Sequence, residues 1–321
     1  MRSKFKNLLM GRYSNHVSLP LNLRTFPYWL KRSSTQVRRD LARRGGSKKG
    51  SSIWRYLHPD ITDPIFIIGA PRSGTTFLGE CLNVLDEVSY HFEPLLTKAA
   101  VKEIYEGNWG TRKSTWFYRF VYSWRMRFSK EPHLIFCEKT PGNCFILPFL
   151  LQSFPRARFV HIIRDGRDAA LSLSRKPWYS NESINSGIRD HDGYLYGPDC
   201  RFYVEENRCD EFFSTTDLHR CIWIWRRYVE EAIAGSQIIP KTQLLKITYE
   251  ELVNEPTRVS TELLDFLCIE SKDSRAKFLE YVEENSQTDS VGKWINDLNE
   301  SDHHKLLSEA GKLLKENGYK L

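Results

Sequence analysis

Pro64-Ile65-Phe66-Ile67-Ile68-Gly69-Ala70-Pro71-Arg72-Ser73-Gly74-Thr75-Thr76-Phe77-Leu78 passes from an apolar, β-branched run through a Gly- and Pro-punctuated turn into apolar residues at helical spacing, Phe77, Leu78, Cys81, Leu82 and Leu85. The pattern predicts strand, loop, helix. Gly69 and Gly74 bracket a loop in which backbone amides can converge, and a helix starting near Thr75 leaves its first N–H groups unpaired, which favours an anion. The spacing fits the phosphate-loop pattern G-x-x-x-x-G-K-[ST], but Thr75 stands where that pattern has lysine. Arg72 is the cation within the loop, and a guanidinium grips phosphate or sulfate oxygens bidentately. The loop therefore suits a small oxyanion group better than ATP with magnesium.

With 321 residues, 40% of them apolar, the chain can bury one large core. No apolar run approaches the roughly 20 residues that span a bilayer, and residues 1–30 lack a signal-peptide pattern, so a cytoplasmic protein is expected. The seven cysteines are odd in number and form no C-x-x-C pair, which predicts reduced thiols and no zinc site. Charge is unevenly placed: residues 1–50 carry thirteen Lys/Arg against one acidic residue, a net +12 that leaves −5 for the remainder of a +7 chain. Residues 1–60 read as a basic N-terminal extension. As a bare charge run it is a solvated tail; with Phe26-Pro27-Tyr28-Trp29-Leu30 within it, residues 1–50 are a candidate for peripheral membrane contact. No specific nucleic-acid partner is expected.

Residues 61–321 read as one domain in which short apolar strands, over 65–68, 89–92, 134–137, 159–163 and 244–247, alternate with helical segments. The helices are expected over 75–85, 143–154, 167–174, 216–234, 257–267, 274–284 and 302–315. This alternation predicts an α/β fold, a P-loop-like three-layer sandwich whose central, mostly parallel sheet is flanked by helices. Residues 176–215 differ: they are polar, aromatic and Gly-punctuated without clear periodicity, and are expected to be an acceptor-binding insertion.

In such sheets ligands sit beyond the carboxyl ends of the strands. Glu93, ending His91-Phe92-Glu93-Pro94, would face the same crevice as Arg72 and could take a proton from an attacking hydroxyl. Its plainer reading is a cap or surface ion pair; His91 would be a bystander or an orienting group. Lys139, in Glu138-Lys139-Thr140-Pro141, could neutralise charge on a leaving oxygen, or could be a solubilising strand-end lysine. Arg164, in Ile162-Ile163-Arg164-Asp165-Gly166-Arg167-Asp168, emerges at the sheet's carboxyl edge, and Ser172 lies on the following helix, so the pair could hold a further phosphate.

The loop Ala70-Pro71-Arg72-Ser73-Gly74-Thr75-Thr76 resembles the 5′-phosphosulfate loop of sulfotransferases that use 3′-phosphoadenosine 5′-phosphosulfate, closest to the bacterial, tyrosylprotein and carbohydrate group. The likeness runs over about residues 62–319. It is strongest in the Arg72 and Arg164 motifs and in Phe92-Glu93-Pro94. The resemblance implies that Arg72, Ser73, Gly74, Thr75 and Thr76 hold the phosphosulfate, and that Arg164 and Ser172, with Lys176 or Arg175 as a third contact, hold the 3′-phosphate. It further implies Glu93 as base and Lys139 as support for the leaving group. Tyr249, in Thr248-Tyr249-Glu250-Glu251-Leu252, would lie near the adenine. Lys293, in Val291-Gly292-Lys293-Trp294, would belong to a segment closing over the nucleotide. The Arg-Lys-Gly segment of cytosolic steroid and phenol sulfotransferases is missing, which weighs against a small phenol. The expected activity is sulfuryl transfer, without a metal, to an acceptor hydroxyl, with a carbohydrate or glycolipid favoured and a peptide tyrosine or a small metabolite left open. The alternatives are an ATP-dependent phosphotransferase and a non-catalytic polyanion-binding protein.

Overall fold

The computed structural model describes residues 21, 24–43, 59–129, 134–189 and 194–321. Most of the basic extension, 1–20 and 44–58, lies outside the described residues. Five strands form one parallel sheet: β1 (Ile65–Ile68), β2 (Val88–Phe92), β3 (Ile135–Lys139), β4 (Arg158–Ile163) and β5 (Leu244–Thr248), in spatial order β2-β3-β1-β4-β5. Alternate residues of a strand point to opposite faces, so a strand covered on both sides must be apolar throughout. β1 is, and all four of its residues are buried. Phe66 and Ile68 enter one core with Tyr118, Tyr122, Leu150 and Ile222; Ile65 and Ile67 enter the other with Leu78, Leu82, Leu263 and Phe278. The result is the P-loop-like three-layer sandwich expected from the alternation.

The chain leaves β1 for β2 and β3 on one side and crosses to β4 on the other, placing the topological switch at β1, where ligands of open α/β sheets bind. Register then brings motifs together. Ile68 is opposite His161, so the loops after β1 and β4 are neighbours. Phe92 is opposite Lys139, so Glu93 and Lys139 emerge side by side, and Glu93 N–H donates to the Lys139 carbonyl at 2.9 Å.

Three departures from the sequence reading have physical causes. The helix expected over 143–154 is split into a 3-10 turn (Pro141–Phe145) and a helix (Leu147–Ser153). Pro148, in the first turn of the second piece, has no N–H with which to continue an earlier helix. The described part of the basic extension is a docked helix, Phe26–Arg43, with Trp29, Ser33 and Val37 buried at helical spacing. Within the aromatic stretch 26–30, Trp29 is fully covered by protein while Tyr28 and Leu30 stay exposed. Third, the cysteines are not all thiols: Cys200 and Cys209 form a disulfide with Cα atoms 5.6 Å apart, closing a loop inside 176–215. Odd number and spacing gave no sign of it, because the pair is set by a tertiary turn. No described helix is long and apolar enough to cross a membrane.

Candidate active site

The loop after β1 is built around two glycines that a side chain would disrupt. Gly74, at φ 86°, precedes the Thr75–Asn83 helix, and a Cβ there would come within 2.4 Å of the Tyr249 ring; at Gly69 it would lie 2.4 Å from the Ile162 carbonyl oxygen. Arg72 itself is held at φ 68°, a left-handed conformation that costs a non-glycine residue and marks functional loops. Its Nε donates to Ser172 Oγ at 3.0 Å, and Arg164 Nη1 donates to the Arg72 carbonyl at 3.3 Å. The two anion motifs, 92 residues apart in sequence, thus meet in one place. Burial, together with the neighbouring Arg164 guanidinium, lowers the pKa of Arg72, as expected for cations facing each other across space that suits an anion.

That space is a cavity of about 330 Å³ lined by Arg72, Gly74, Thr75, Thr76, Arg164 and Ser172. Its wall also includes Arg175, Lys176, Tyr249 and Lys293, together with one carboxylate, Asp168. Ser73 does not line it; it is fully buried and its Oγ has no hydrogen-bond partner among the described residues. Tyr249 presents its ring to the Arg164 guanidinium, 4.7 Å from centroid to carbon, and its hydroxyl pairs with Ser290 Oγ at 3.1 Å. Arg164 also donates through Nη2 to the Ser290 carbonyl, while its buried Nε is left without a partner among the described residues. An orphaned guanidinium N–H in a cationic cavity is a donor awaiting an acceptor. The backbone on either side of Lys293 is tied down by Asp168, which accepts from the backbone amides of Gly292 at 2.7 Å and Trp294 at 3.0 Å. The charge run around Arg164 gave no hint of that carboxylate's role, since its partners come from 124 and 126 residues later.

The neighbouring cavity, about 310 Å³, shares Arg72, Thr75 and Thr76 with the first and contains Glu93, Lys98 and Lys139. Its far wall is aromatic, with Trp178, Tyr179, Tyr194, Tyr196, Phe202 and Tyr203 all from the 176–215 segment. Glu93 is ion-paired on one oxygen with Lys139 and on the other with Lys98, at 2.5 Å. Burial would raise its pKa, but the two ammonium groups outweigh that and hold the carboxyl well below the usual carboxylate range. Lys139, itself 2% exposed, has its pKa lowered by burial despite the attraction of Glu93. Lys98 escaped the sequence reading because nothing in the Leu95–Tyr105 helix marks it; only the turn after β2 brings it back onto Glu93.

Glu138, one residue before Lys139, points the other way into the core, where it accepts from Tyr122 Oη at 2.7 Å and Asn143 Nδ2 at 2.6 Å. Among the described residues, the side chains grouped closely enough to hold a metal are Glu211, His219 and Glu309. They line neither cavity, and Arg208 and Arg226 already neutralise the Glu309 carboxylate.

Residues 109–273 match the family model described as the sulfotransferase family. Protein-tyrosine sulfotransferase A of Caenorhabditis elegans is 22% identical over 223 residues, covering 64% of this chain and 50% of the relative, so the chain spans about half the length of that curated relative. Among solved structures, the sulfotransferase domain from the curacin biosynthetic pathway superposes with a TM-score of 0.53 at 15% identity, over 81% of this chain and 99% of that one. A sulfotransferase from Mycobacterium avium gives 0.51 at 13%, over 83% and 80%. The low identities bear on the fold, whereas the family match spans half the chain and includes Lys139, Arg164 and Ser172. The chain belongs to the sulfotransferase family.

Proposed function

We propose that the protein transfers a sulfuryl group from 3′-phosphoadenosine 5′-phosphosulfate to a hydroxyl of a carbohydrate or glycolipid. One observation carries this reading: Arg72 and Arg164 converge on one cavity, and the Arg72–Thr76 loop is also a wall of the cavity that holds Glu93 and Lys139. The donor's two anionic ends fit the cationic residues and the unpartnered Arg164 Nε. Arg164, Ser172 and Lys176 or Lys293 would take the 3′-phosphate. The loop amides with Arg72, Thr75 and Thr76 would take the phosphosulfate, and Tyr249 would flank the base.

Glu93 would accept the acceptor's proton as the acceptor oxygen bonds to sulfur and the bond from sulfur to the donor phosphate oxygen breaks. Lys139 would stabilise the charge left on that oxygen. Glu93 is a poor base while two ammonium groups hold it. Recruitment of Lys139 to the donor removes one of them, and the carboxylate gains proton affinity at the moment the acceptor docks. Transfer of an already activated group depends on positioning and electrostatics, which rigid strand ends supply.

The aromatic wall supports a sugar acceptor, since sugar rings pack on aromatic faces. The Cys200–Cys209 disulfide supports an oxidising compartment in place of the cytoplasm expected from the sequence. The test is to compare binding of adenosine 3′,5′-bisphosphate with that of magnesium ATP. Radiolabelled donor is then incubated with a panel of polysaccharides, glycolipids and tyrosine peptides. Tighter binding of the bisphosphate and label in a saccharide are expected. Preference for ATP refutes the donor, and label confined to tyrosine refutes the acceptor. Glu93→Gln should keep bisphosphate affinity and lower turnover about a hundredfold.

A further inference from the structure

We propose that Gln36, on the docked Phe26–Arg43 helix, is a positioning residue for Glu93; the inference rests on Glu93 being the base proposed above. Glu93 is held at φ 36°, outside the regions that side-chain-bearing residues favour, so its carboxylate points where it does only if neighbouring groups hold its backbone. On one side its N–H is fixed to the Lys139 carbonyl. On the other, one amide grips three backbone groups of the turn. Gln36 Nε2 donates to the carbonyls of Phe92 and Glu93, each at 2.9 Å, and Gln36 Oε1 accepts from Leu95 N–H at 3.3 Å.

The amide is itself oriented. Arg125, 1% exposed, donates to Gln36 Oε1 at 3.1 Å, to Asp40 Oδ2 at 3.0 Å and, through Nε, to His91 Nδ1 at 3.3 Å. A guanidinium N–H is always a donor, so His91 Nδ1 is the acceptor, and its Nε2–H faces Ser89 Oγ at 3.1 Å. Arg125 thus fixes which way the Gln36 amide is turned, with oxygen toward itself and nitrogen toward the two carbonyls. His91 belongs to this bracing behind β2 and has no place in the reaction cavity. The basic N-terminal segment is thereby part of the site: its helix closes the back of the turn that aims the base.

A displacement of about 1 Å in a catalytic group can cost about a hundredfold in rate. Gln36→Met keeps the length and packing of the side chain and removes all three backbone contacts; Gln36→Ala removes the packing as well. Both are made in the full chain, beside Glu93→Gln and the double variant Gln36→Met/Glu93→Gln. The readouts are thermal unfolding, adenosine 3′,5′-bisphosphate affinity, and transfer from radiolabelled donor both to the best saccharide of the panel and to water.

The expected result for Gln36→Met is a kcat lower by roughly ten- to a hundredfold with bisphosphate affinity within about twofold. The loss should vanish in the Glu93→Gln background, because a residue that acts through Glu93 has nothing left to position. An equal loss in both backgrounds, an unchanged kcat, or a loss of bisphosphate affinity matching the loss of turnover overturns the role of Gln36 while leaving Glu93 as base. If Glu93→Gln alone keeps full turnover, the reading of Glu93 fails, and this inference with it.

Discussion

Replacing Arg164 by alanine separates its two jobs. One is internal: its Nη atoms hold the Arg72 and Ser290 carbonyls. The other, proposed, is to meet the 3′-phosphate through the donor capacity left over, including the orphaned Nε. A hydrogen bond between charged partners contributes about 1.5–3 kcal/mol, which converts to roughly 10- to 150-fold in affinity. That loss should appear for adenosine 3′,5′-bisphosphate and not for adenosine 5′-phosphate, which lacks the group concerned. Titration calorimetry on wild type, Arg164→Ala and Arg164→Lys with both nucleotides gives the ratio directly. The bisphosphate preference should collapse by that factor in the alanine variant and recover in part with lysine, a point charge without the bidentate fork. Equal weakening of both nucleotides would mean that Arg164 only props the loop, and the assignment of the 3′-phosphate pocket would be wrong.

Lys98→Met removes one of the two cations that depress the Glu93 pKa, so the carboxyl protonates at higher pH than before and the acid limb of the kcat/KM profile moves up; an unmoved limb sinks the coupling. Gly74→Ala places a methyl group against Tyr249 at a positive φ, which should cost about 2–5 kcal/mol in chemical denaturation and abolish nucleotide binding; wild-type stability would contradict the loop geometry. Opening the Cys200–Cys209 bridge by a double serine substitution frees a nine-residue separation and should cost about 2.5–3 kcal/mol from loop-closure entropy. The acceptor KM should rise while bisphosphate affinity stays. A matched fall in nucleotide affinity would show that this segment does not act on the acceptor side alone.

The central strand β1 was legible because a strand buried on both faces is apolar throughout, as Ile65-Phe66-Ile67-Ile68 is, whereas the edge strand β5 is only partly buried, carries the exposed Lys246 and was marked by its apolar neighbours alone. The loops at Arg72 and Arg164 were legible as glycine-, arginine- and hydroxyl-bearing strand-to-helix junctions, and the structure brings both to one cavity. What the residues could not declare was long-range partnership. Gln36 is an unremarkable glutamine until its amide meets Phe92 and Glu93, and Lys98 is one helix lysine among several until a turn delivers it to Glu93. The Thr111–Ser129 helix, crowded with aromatic and β-branched residues, lacks a clean two-sided pattern, because Trp116, Phe120 and Phe128 stay exposed on its outer face. The docked Phe26–Arg43 helix was hidden by its charge, since Lys31, Arg38 and Arg39 point outward and only a narrow stripe packs.

Arg72, Thr75 and Thr76 are the party wall between two rooms whose other walls come from separate parts of the chain. Substitutions in 177–215 or in the Leu95–Tyr105 helix can remodel one room while leaving the residues that wall the other in place. A protein arranged this way can change clientele by drift in one segment, and a library confined to that segment is the economical route to redirecting it.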